Sequence, residues 1–376
     1  MKLLKLYLLP LFLFSAFFLF SVHCNIGTTY DSGEYEAAAV SFHSSGKLME
    51  SDAKPYVDWP PLYPVVLSFF TNQLHDFATV LNLFCLLVSM ALWIRMAEDY
   101  LAEYLPLYGV LLALSTSLLL IGSFLWSESL FLLLLSVYVK LLQQFCKTRV
   151  TKWLILASLA GFFMLLTRTV GVTLGGGAAI AFAASYKEFD KREWSALLLH
   201  FVFVVSGLLG WLIYTGSFTR EDHVISYLFL HHSVYENILT PAKELSCWLV
   251  PGLQNPFLQL LITALVLGGI SIGHWVSRSV FTRVLIWMIA VYCAVFIFLS
   301  VFPYDIGRYM AVLYPPIILL LLNAFKKLVI IFPNRKRLLV FTLIIWMSYP
   351  LVRISYNALR FHRNNCGTSS TSLMKF

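Results

Sequence analysis

Two acidic residues in the first polar segment of the chain have a type and spacing suited to proton transfer. Asp31 and Glu34 lie three positions apart in the sequence YDSGEY, so one helical turn would place both on the same face. A carboxylate that is ionised at neutral pH can take a proton from an attacking hydroxyl group. Asp31 and Glu34 are therefore candidates for a functional site.

Charged residues within or beside apolar segments form a second group, because such charges are costly there and face cavities or partners. Arg168 interrupts FFMLLTRTVGV, Glu128 lies in FLWSESLF, and Arg308 lies in FPYDIGRYMAVLYPP. Each also has a simpler structural interpretation: an arginine that reaches the interface, a buried hydrogen-bonded acid, and an ion pair of Arg308 with Asp305.

Arg168 and Arg308 are therefore candidate site residues, and Lys54 of the first polar loop is a further candidate cation. Four further residues complete the candidate pocket: Asp58, Glu128, His223 and Tyr304.

The composition defines the elements that must hold these residues. Of the 376 residues, 59% are hydrophobic and only 12% are charged, against about 25% charged in soluble domains. This balance excludes a soluble enzyme and a disordered protein. The net charge of +8 lies in short clusters between apolar runs, which is typical of membrane topology and not of nucleic-acid binding.

The apolar runs predict an all-α transmembrane bundle of about ten to twelve helices, with residues 1–376 forming a single membrane domain. A shorter apolar run at 62–74 opens with prolines, and we expect that it does not cross fully. The predicted spans are 3–22, 78–97, 105–122, 125–143, 153–168, 170–186, 195–214, 257–276, 281–302, 309–325 and 338–352.

The basic clusters predict the orientation, because cytoplasmic loops carry an excess of Lys and Arg. The first span is expected to stay uncleaved with its lysines in the cytoplasm. This places the loops 23–61 and 215–256 and the tail 353–376 outside the cytoplasm, and Glu128 near the same side. Within the first loop, Glu34 to His43 favours a short amphipathic helix that Gly46 ends.

The six cysteines have no spacing that indicates a metal site, and buried apolar packing is the simplest interpretation. A disulfide between Cys24 and either Cys247 or Cys366 stays open. No metal ligands are assigned, and a need for a divalent metal is left open. The glycine run near Gly175 favours close helix packing.

Several motifs together resemble one family. A first span precedes a large loop with an early aspartate, and WPPLYP, an SE pair, LLTR and RYMAVLYPP follow in order. This layout resembles the GT-C membrane glycosyltransferases, in particular the bacterial branch similar to protein O-mannosyltransferases and aminoarabinose transferases. The sequence departs from that branch at Glu34, which is not adjacent to Asp31, and at Trp59, where some relatives have lysine.

The resemblance implies an inverting glycosyltransferase that moves a hexose or pentose from a polyprenyl-phosphate donor to a lipid, glycan or protein acceptor. It implies a multi-pass protein of the bacterial inner membrane, part of cell-envelope assembly, with its site facing the exterior or periplasm. In this scheme Asp31 and Glu34 are catalytic, and Arg168, Arg308 and Lys54 bind the donor phosphate. Two alternatives stay open: a flippase for a lipid-linked glycan, and a non-catalytic subunit of a glycan-assembly complex.

Overall fold

The protein is described by a computed structural model over residues 2–216, 233–250, 253–277, 279–298 and 305–366. Within these ranges the fold is all-α, as predicted, and β-type pairing is limited to two isolated bridges. The described α-helices are α1 (Lys2–Ser21), α2 (Tyr30–Ser45), α3 (Leu62–Leu67), α4 (Leu74–Leu101), α5 (Leu105–Ala113), α6 (Thr116–Gly122), α7 (Glu128–Thr148), α8 (Thr151–Thr167), α9 (Gly171–Ala184), α10 (Lys191–Tyr214), α11 (Val234–Leu249), α12 (Pro256–Ser277), α13 (Val280–Phe298), α14 (Ile306–Ala311), α15 (Tyr314–Ile331) and α16 (Lys336–Cys366).

Many of these helices are apolar enough to lie in a membrane, which confirms the predicted transmembrane bundle. In the described residues, four stretches are also long enough to cross: Leu62–Ala113, Glu128–Thr148, Lys191–Tyr214 and Tyr314–Ile331. Shorter apolar helices of 10–17 residues are Tyr7–Ser21, Thr151–Thr167, Gly171–Ala184, Pro256–Ile272 and Val280–Phe296. The chain is therefore an integral membrane protein.

Two of the predicted apolar segments are interrupted. The segment 105–122 is divided into α5 and α6 at Ser115, whose hydroxyl oxygen accepts a hydrogen bond from the Leu118 amide at 3.2 Å and so caps α6. The segment 62–74 forms the short α3 and a 3₁₀ turn, with a non-helical backbone at Phe70 before α4 begins. Apolar composition alone does not reveal such breaks.

A glycine allows two helices to approach closely, as the glycine run predicted. A Cβ placed on Gly177 of α9 would lie 2.5 Å from the Trp287 carbonyl oxygen and 2.6 Å from the Met288 Cα on α13. A Cβ on the neighbouring Gly176 would meet nothing within 4 Å. Only Gly177 is therefore required by the packing at this crossing.

Helix α2 confirms the helix predicted in the first polar loop. The helix begins after Thr29, whose amide donates to the Ser32 hydroxyl oxygen at 2.9 Å, and it ends at Gly46, which has a φ of 70°. The capping pair starts the helix four residues earlier than predicted. As a result, Asp31 lies in the first helical turn.

The segment that joins α6 to α7 is held against the segment that precedes α2. The Gly27 amide donates to the Ser123 carbonyl at 2.9 Å, and the Leu125 amide donates to the Gly27 carbonyl at 2.8 Å. From α4, the buried Asn82 amide group donates to the carbonyls of Gly122 and Phe124. These contacts fix the start of α7 relative to the start of α2.

A disulfide bond joins Cys24, just after α1, to Cys366 at the end of α16. It selects one of the two pairings that the sequence left open. Among the described cysteines, Cys85 is buried, in agreement with the simpler interpretation, and Cys247 is not disulfide-bonded.

Candidate active site

Five charged side chains from separate parts of the chain meet at one end of the bundle. Asp31 lies in the first turn of α2 and Glu128 is the first residue of α7. Arg168 follows the last residue of α8, and Asp305 and Arg308 lie at the start of α14. The sequence singled out four of them as candidates and named Asp305 as a partner of Arg308, and the fold brings them together.

Arg308 is the centre of this group. Its Nη2 lies 2.7 Å from Asp31 Oδ2, its Nε lies 2.5 Å from Glu128 Oε1, and its Nη1 lies 3.3 Å from Asp305 Oδ1. The Trp126 ring covers the guanidinium face, with the Arg308 Cζ 4.3 Å from the ring centroid. Each of the three guanidinium nitrogens thus contacts a carboxylate, and the side chain is 6% exposed.

Glu128 is shared by two arginines. Its Oε1 accepts from Arg308 Nε and lies 2.5 Å from Arg168 Nη1. Its Oε2 is buried and has no hydrogen-bond partner among the described residues. Because an isolated buried carboxylate is strongly unfavourable, two guanidinium groups are needed to keep this one ionised in the protein.

Arg168 has donors that remain unused in the described part of the chain. Its Nη1 contacts Glu128 and also lies 3.2 Å from the Ser127 hydroxyl oxygen. The guanidinium lies beside the Tyr309 ring, with its Cζ 5.0 Å from the centroid. No hydrogen bond involves its Nε or Nη2 among the described residues, so this cation can still bind an anion.

Asp31 presents one occupied and one unoccupied oxygen. Oδ2 accepts from Arg308, whereas Oδ1 has no hydrogen-bond partner among the described residues. The side chain is 24% exposed, so a substrate hydroxyl can reach it. The contact with Arg308 fixes the direction of the carboxylate, as a general base requires.

Asp305 is the third acid beside Arg308. Burial raises the pKa of its carboxyl group, the Arg308 guanidinium opposes that rise, and the neighbouring Asp31 and Glu128 charges reinforce it. The net rise shows that burial and negative neighbours outweigh the single cation. The Asp305 carboxyl group is therefore less readily ionised than a free aspartate side chain.

A group of aromatic side chains adjoins the charged residues. The Tyr35 hydroxyl lies 3.2 Å from the hydroxyl of Ser127, and the Tyr35 ring packs edge-on against Tyr63 with centroids 5.0 Å apart. The hydroxyl groups of Tyr56 and Tyr63 are buried and have no partner among the described residues. The chain has 19 tyrosines, and no pattern around Tyr35, Tyr56 and Tyr63 distinguishes them from the others.

Trp126 is another site residue that was not predicted to contact the charged group. Its indole N–H donates to the Thr29 hydroxyl oxygen at 2.8 Å, and its ring stacks on Phe124. It therefore links the cap of α2 to the guanidinium of Arg308. The run of aromatic residues before the SE pair was the only sequence feature that pointed to it.

Glu34, Lys54 and Asp58 do not contact this charged group. Glu34 accepts hydrogen bonds from the amide and hydroxyl of Ser51, at 2.9 and 2.6 Å. Lys54 is exposed and pairs with Asp52, while Asp58 is exposed. The Glu34 carboxylate points to the following loop because that loop supplies two donors, and the catalytic role of Glu34 stays a prediction.

Two further candidates, His223 and Tyr304, lie outside the described residues. The same is true of much of the predicted second loop, from which the structure describes α11 and its flanking residues. The pocket roles of His223 and Tyr304 therefore stay predictions.

The arrangement suits an anion and an acceptor hydroxyl more than a cation. The carboxylates of Asp31, Glu128 and Asp305 each contact a guanidinium nitrogen of Arg308. The unused capacity includes donors on Arg168, an acceptor oxygen on Asp31 and the buried Oε2 of Glu128. The Arg168 donors can bind a phosphate, and the Asp31 oxygen can accept a proton from a hydroxyl group.

No family model matches the sequence, and no curated protein matches it. Solved structures match by fold. ArnT from Cupriavidus metallidurans, solved bound to undecaprenyl phosphate, aligns with a TM-score of 0.61 at 16% identity, over 85% of this chain and 60% of that chain. Its apo structure gives the same TM-score over 87% of this chain.

A second neighbour is the oligosaccharyltransferase of Archaeoglobus fulgidus, solved in complex with Zn and sulfate. It aligns with a TM-score of 0.55 at 12% identity, over 96% of this chain and 54% of that chain. The chain therefore spans less than two thirds of the length of these neighbours. The chain shares the fold of these two proteins, which confirms at the level of fold the resemblance that the motifs indicated.

Proposed function

We propose that the protein is an inverting glycosyltransferase that moves a sugar from a polyprenyl-phosphate donor to an acceptor hydroxyl or amine. The observation that carries this proposal is the pairing of Asp31 with Arg308, which leaves one Asp31 oxygen accessible at the same site as unused donors on Arg168. A neighbour of the same fold was solved with undecaprenyl phosphate, and this supports the choice of donor.

Asp31 serves as the base in this proposal. Its accessible Oδ1 takes the proton from the acceptor as the acceptor atom bonds to the anomeric carbon. The bond from that carbon to the phosphate oxygen breaks, and the polyprenyl phosphate leaves with the electron pair. Attack opposite to the leaving group inverts the configuration of the anomeric carbon.

Arg168 and Arg308 then have different roles. Arg168 donates to the phosphate oxygens with its unused nitrogens, and its charge stabilises the negative charge of the leaving group. Arg308 is a positioning residue, because its nitrogens contact three carboxylates. The sequence-based prediction was that Arg308 binds the donor phosphate. In this proposal Arg308 orients Asp31 instead.

We place the reaction on the exterior or periplasmic face of a bacterial inner membrane. The disulfide between Cys24 and Cys366 supports this side, because disulfides persist in oxidising compartments, and Cys24 lies seven positions before Asp31. The basic clusters at the opposite ends of the apolar segments support the same orientation. The acceptor is a lipid, a glycan or a protein.

A transfer assay in membranes tests the proposal. Membranes that contain the wild-type protein receive radiolabelled polyprenyl-phosphate sugars, and label is followed into lipid, glycan and protein fractions. Membranes with Asp31→Asn serve as the matched control. Label that moves with the wild type alone supports the transferase and reveals the acceptor class.

Equal label transfer by wild-type and Asp31→Asn membranes would exclude Asp31 as the base. If no donor transfers label in either membrane, proteoliposomes test movement of the lipid-linked sugar between leaflets. Movement of the lipid-linked sugar between leaflets without transfer of label would favour a flippase over a transferase.

A further inference from the structure

Two histidines and two cysteines meet where the segment after α1 contacts the end of α16. His23 and Cys24 are consecutive, and His362 and Cys366 lie four positions apart on one face of α16. The ligand atoms of His23, Cys24 and His362 all lie within 4.8 Å of one another. These four side chains, here called the helix-junction cluster, lie apart from the charged group around Arg308.

Two sulfur–histidine pairs in the helix-junction cluster lie at distances close to those of a tetrahedral zinc site. Cys366 Sγ lies 3.6 Å from His362 Nδ1 and 3.8 Å from His362 Nε2, and Cys24 Sγ lies 3.9 Å from His23 Nδ1. Zinc bonds of about 2.3 Å to sulfur and 2.0–2.1 Å to nitrogen separate neighbouring ligand atoms by roughly 3.5–3.8 Å in a tetrahedron. The two sulfur atoms, bonded to each other here, lie closer together than two zinc-bound sulfur atoms would.

His362 is oriented in the manner of a metal ligand. Its Nδ1 lies 3.1 Å from the Phe20 carbonyl oxygen, and its ring stacks on the Phe20 ring with centroids 4.6 Å apart. A carbonyl oxygen can only accept, so Nδ1 carries the proton and Nε2 keeps its lone pair. A backbone carbonyl that fixes the tautomer in this way is a common partner of zinc-binding histidines.

We propose that the helix-junction cluster binds Zn²⁺ when the disulfide between Cys24 and Cys366 is reduced. A dithiol reductant breaks the sulfur–sulfur bond, is itself oxidised to a disulfide, and leaves two protonated thiols on the protein. Zn²⁺ then binds two thiolates and two neutral imidazoles, and the two thiol protons are released. The disulfide and the zinc ion exclude each other at this junction.

The ligand set determines which metal the reduced junction takes. Two thiolates and two imidazoles are the ligand set of structural zinc sites, in which all four positions are filled by protein. The ion would have no open position for substrate. Its effect would be to join α1 to α16 when the covalent bond is absent.

Metal binding by the purified full-length protein in detergent tests this site. The protein is reduced, separated from the reductant without air, and titrated with Co²⁺, which gives intense visible absorption in tetrahedral thiolate sites. We expect one Co²⁺ per reduced chain, displaced by an equimolar amount of Zn²⁺, and no such absorption from the oxidised protein. The reduced variant His362→Ala should bind Co²⁺ at least about tenfold more weakly.

Two variants make the result specific. Cys146→Ser removes a cysteine that is not disulfide-bonded and should bind Co²⁺ as the wild type does. The double variant Cys24→Ser, Cys366→Ser should bind none, and its retained elution volume would show that it folds. Equal Co²⁺ binding by reduced wild type and this double variant would overturn the proposal, as would unchanged affinity and spectrum in His362→Ala.

Discussion

Arg308 binds Asp31 across 277 positions of sequence, with Nη2 donating to Oδ2 at 2.7 Å. The contact occupies one oxygen of a carboxylate whose side chain is 24% exposed, and it leaves the other oxygen accessible. It also joins α14 to the first turn of α2, so the orientation of Asp31 depends on a distant part of the chain. Its functional consequences can be tested residue by residue.

Asp31→Asn should lower the rate of sugar transfer by about 100-fold or more, because the amide cannot accept the acceptor proton. The amount of folded protein should not change, since the residue lies in an accessible first turn. The measurement is label transfer at saturating donor. Asp58→Asn is the matched control, because it removes an exposed acid of the same loop and should transfer at the wild-type rate.

Arg168→Lys should weaken binding of the donor, seen as a rise in KM of about tenfold, while kcat falls less. Lysine keeps the charge but cannot place two parallel donors on a phosphate. Glu128 would keep its contact with Arg308, so the protein should fold. Initial rates over a range of donor concentrations measure both constants, and an unchanged KM would assign the phosphate to another cation.

Arg308→Met should destabilise the fold by about 3–5 kcal/mol, because it removes a cation that neutralises buried Glu128 and two further acids. Adding Glu128→Gln should recover part of that loss, since the amide carries no charge to neutralise. Thermal unfolding in detergent compares the three proteins. Equal midpoints for the single and double variants would show that Glu128 does not depend on Arg308.

Asp305→Asn should raise the thermal midpoint at pH 7. The folded-state pKa of Asp305 is raised, so the wild type loses stability as pH rises from the unfolded-state pKa through the folded-state value. The asparagine variant avoids this loss. The difference in midpoint should therefore grow with rising pH and vanish in acid, where wild-type Asp305 is protonated. A difference independent of pH would show that the charge of Asp305 is not its cause.

Gly177→Ala should lower the midpoint, whereas Gly176→Ala should leave it unchanged or raise it slightly. The new Cβ at residue 177 would lie 2.5 Å from a backbone oxygen of α13, and at residue 176 it would meet nothing within 4 Å. Both variants gain the same helix propensity. The comparison therefore isolates the closeness of α9 and α13, and equal midpoints would argue against this crossing.

The sequence predicted most helices and several site residues individually, but not how those residues pair. Long apolar runs reveal membrane helices because backbone groups in lipid must be satisfied within the helix. The pairing of Glu128 with Arg308 joins residues 180 positions apart, and no local pattern encodes such a contact. The local pairing of Arg308 with Asp305, which spacing did indicate, is the longest of the three contacts of Arg308, at 3.3 Å.

Glu34 shows that local spacing can predict the position of a residue on a helix without predicting the contacts of its side chain. Its spacing from Asp31 predicted a shared helical face, and both residues do lie on α2. A carboxylate accepts the nearest donors, however, and Ser51 supplies an amide and a hydroxyl from the following loop. Spacing along a helix places the Cβ atoms, while the loop that packs on the helix decides where the carboxylate points.

The disulfide between Cys24 and Cys366 turns most of the chain into a covalent ring. The two cysteines are 342 positions apart, so at a synthesis rate of about 5–20 residues per second the Cys24 thiol waits roughly 20–70 s for its partner. Oxidation thus has to follow synthesis of all the helices between the two cysteines. After a single proteolytic cut within the ring, the two fragments stay joined by the disulfide until a reductant is added. A shift on a gel that appears only after reduction therefore shows that the disulfide between the ends of α1 and α16 has formed.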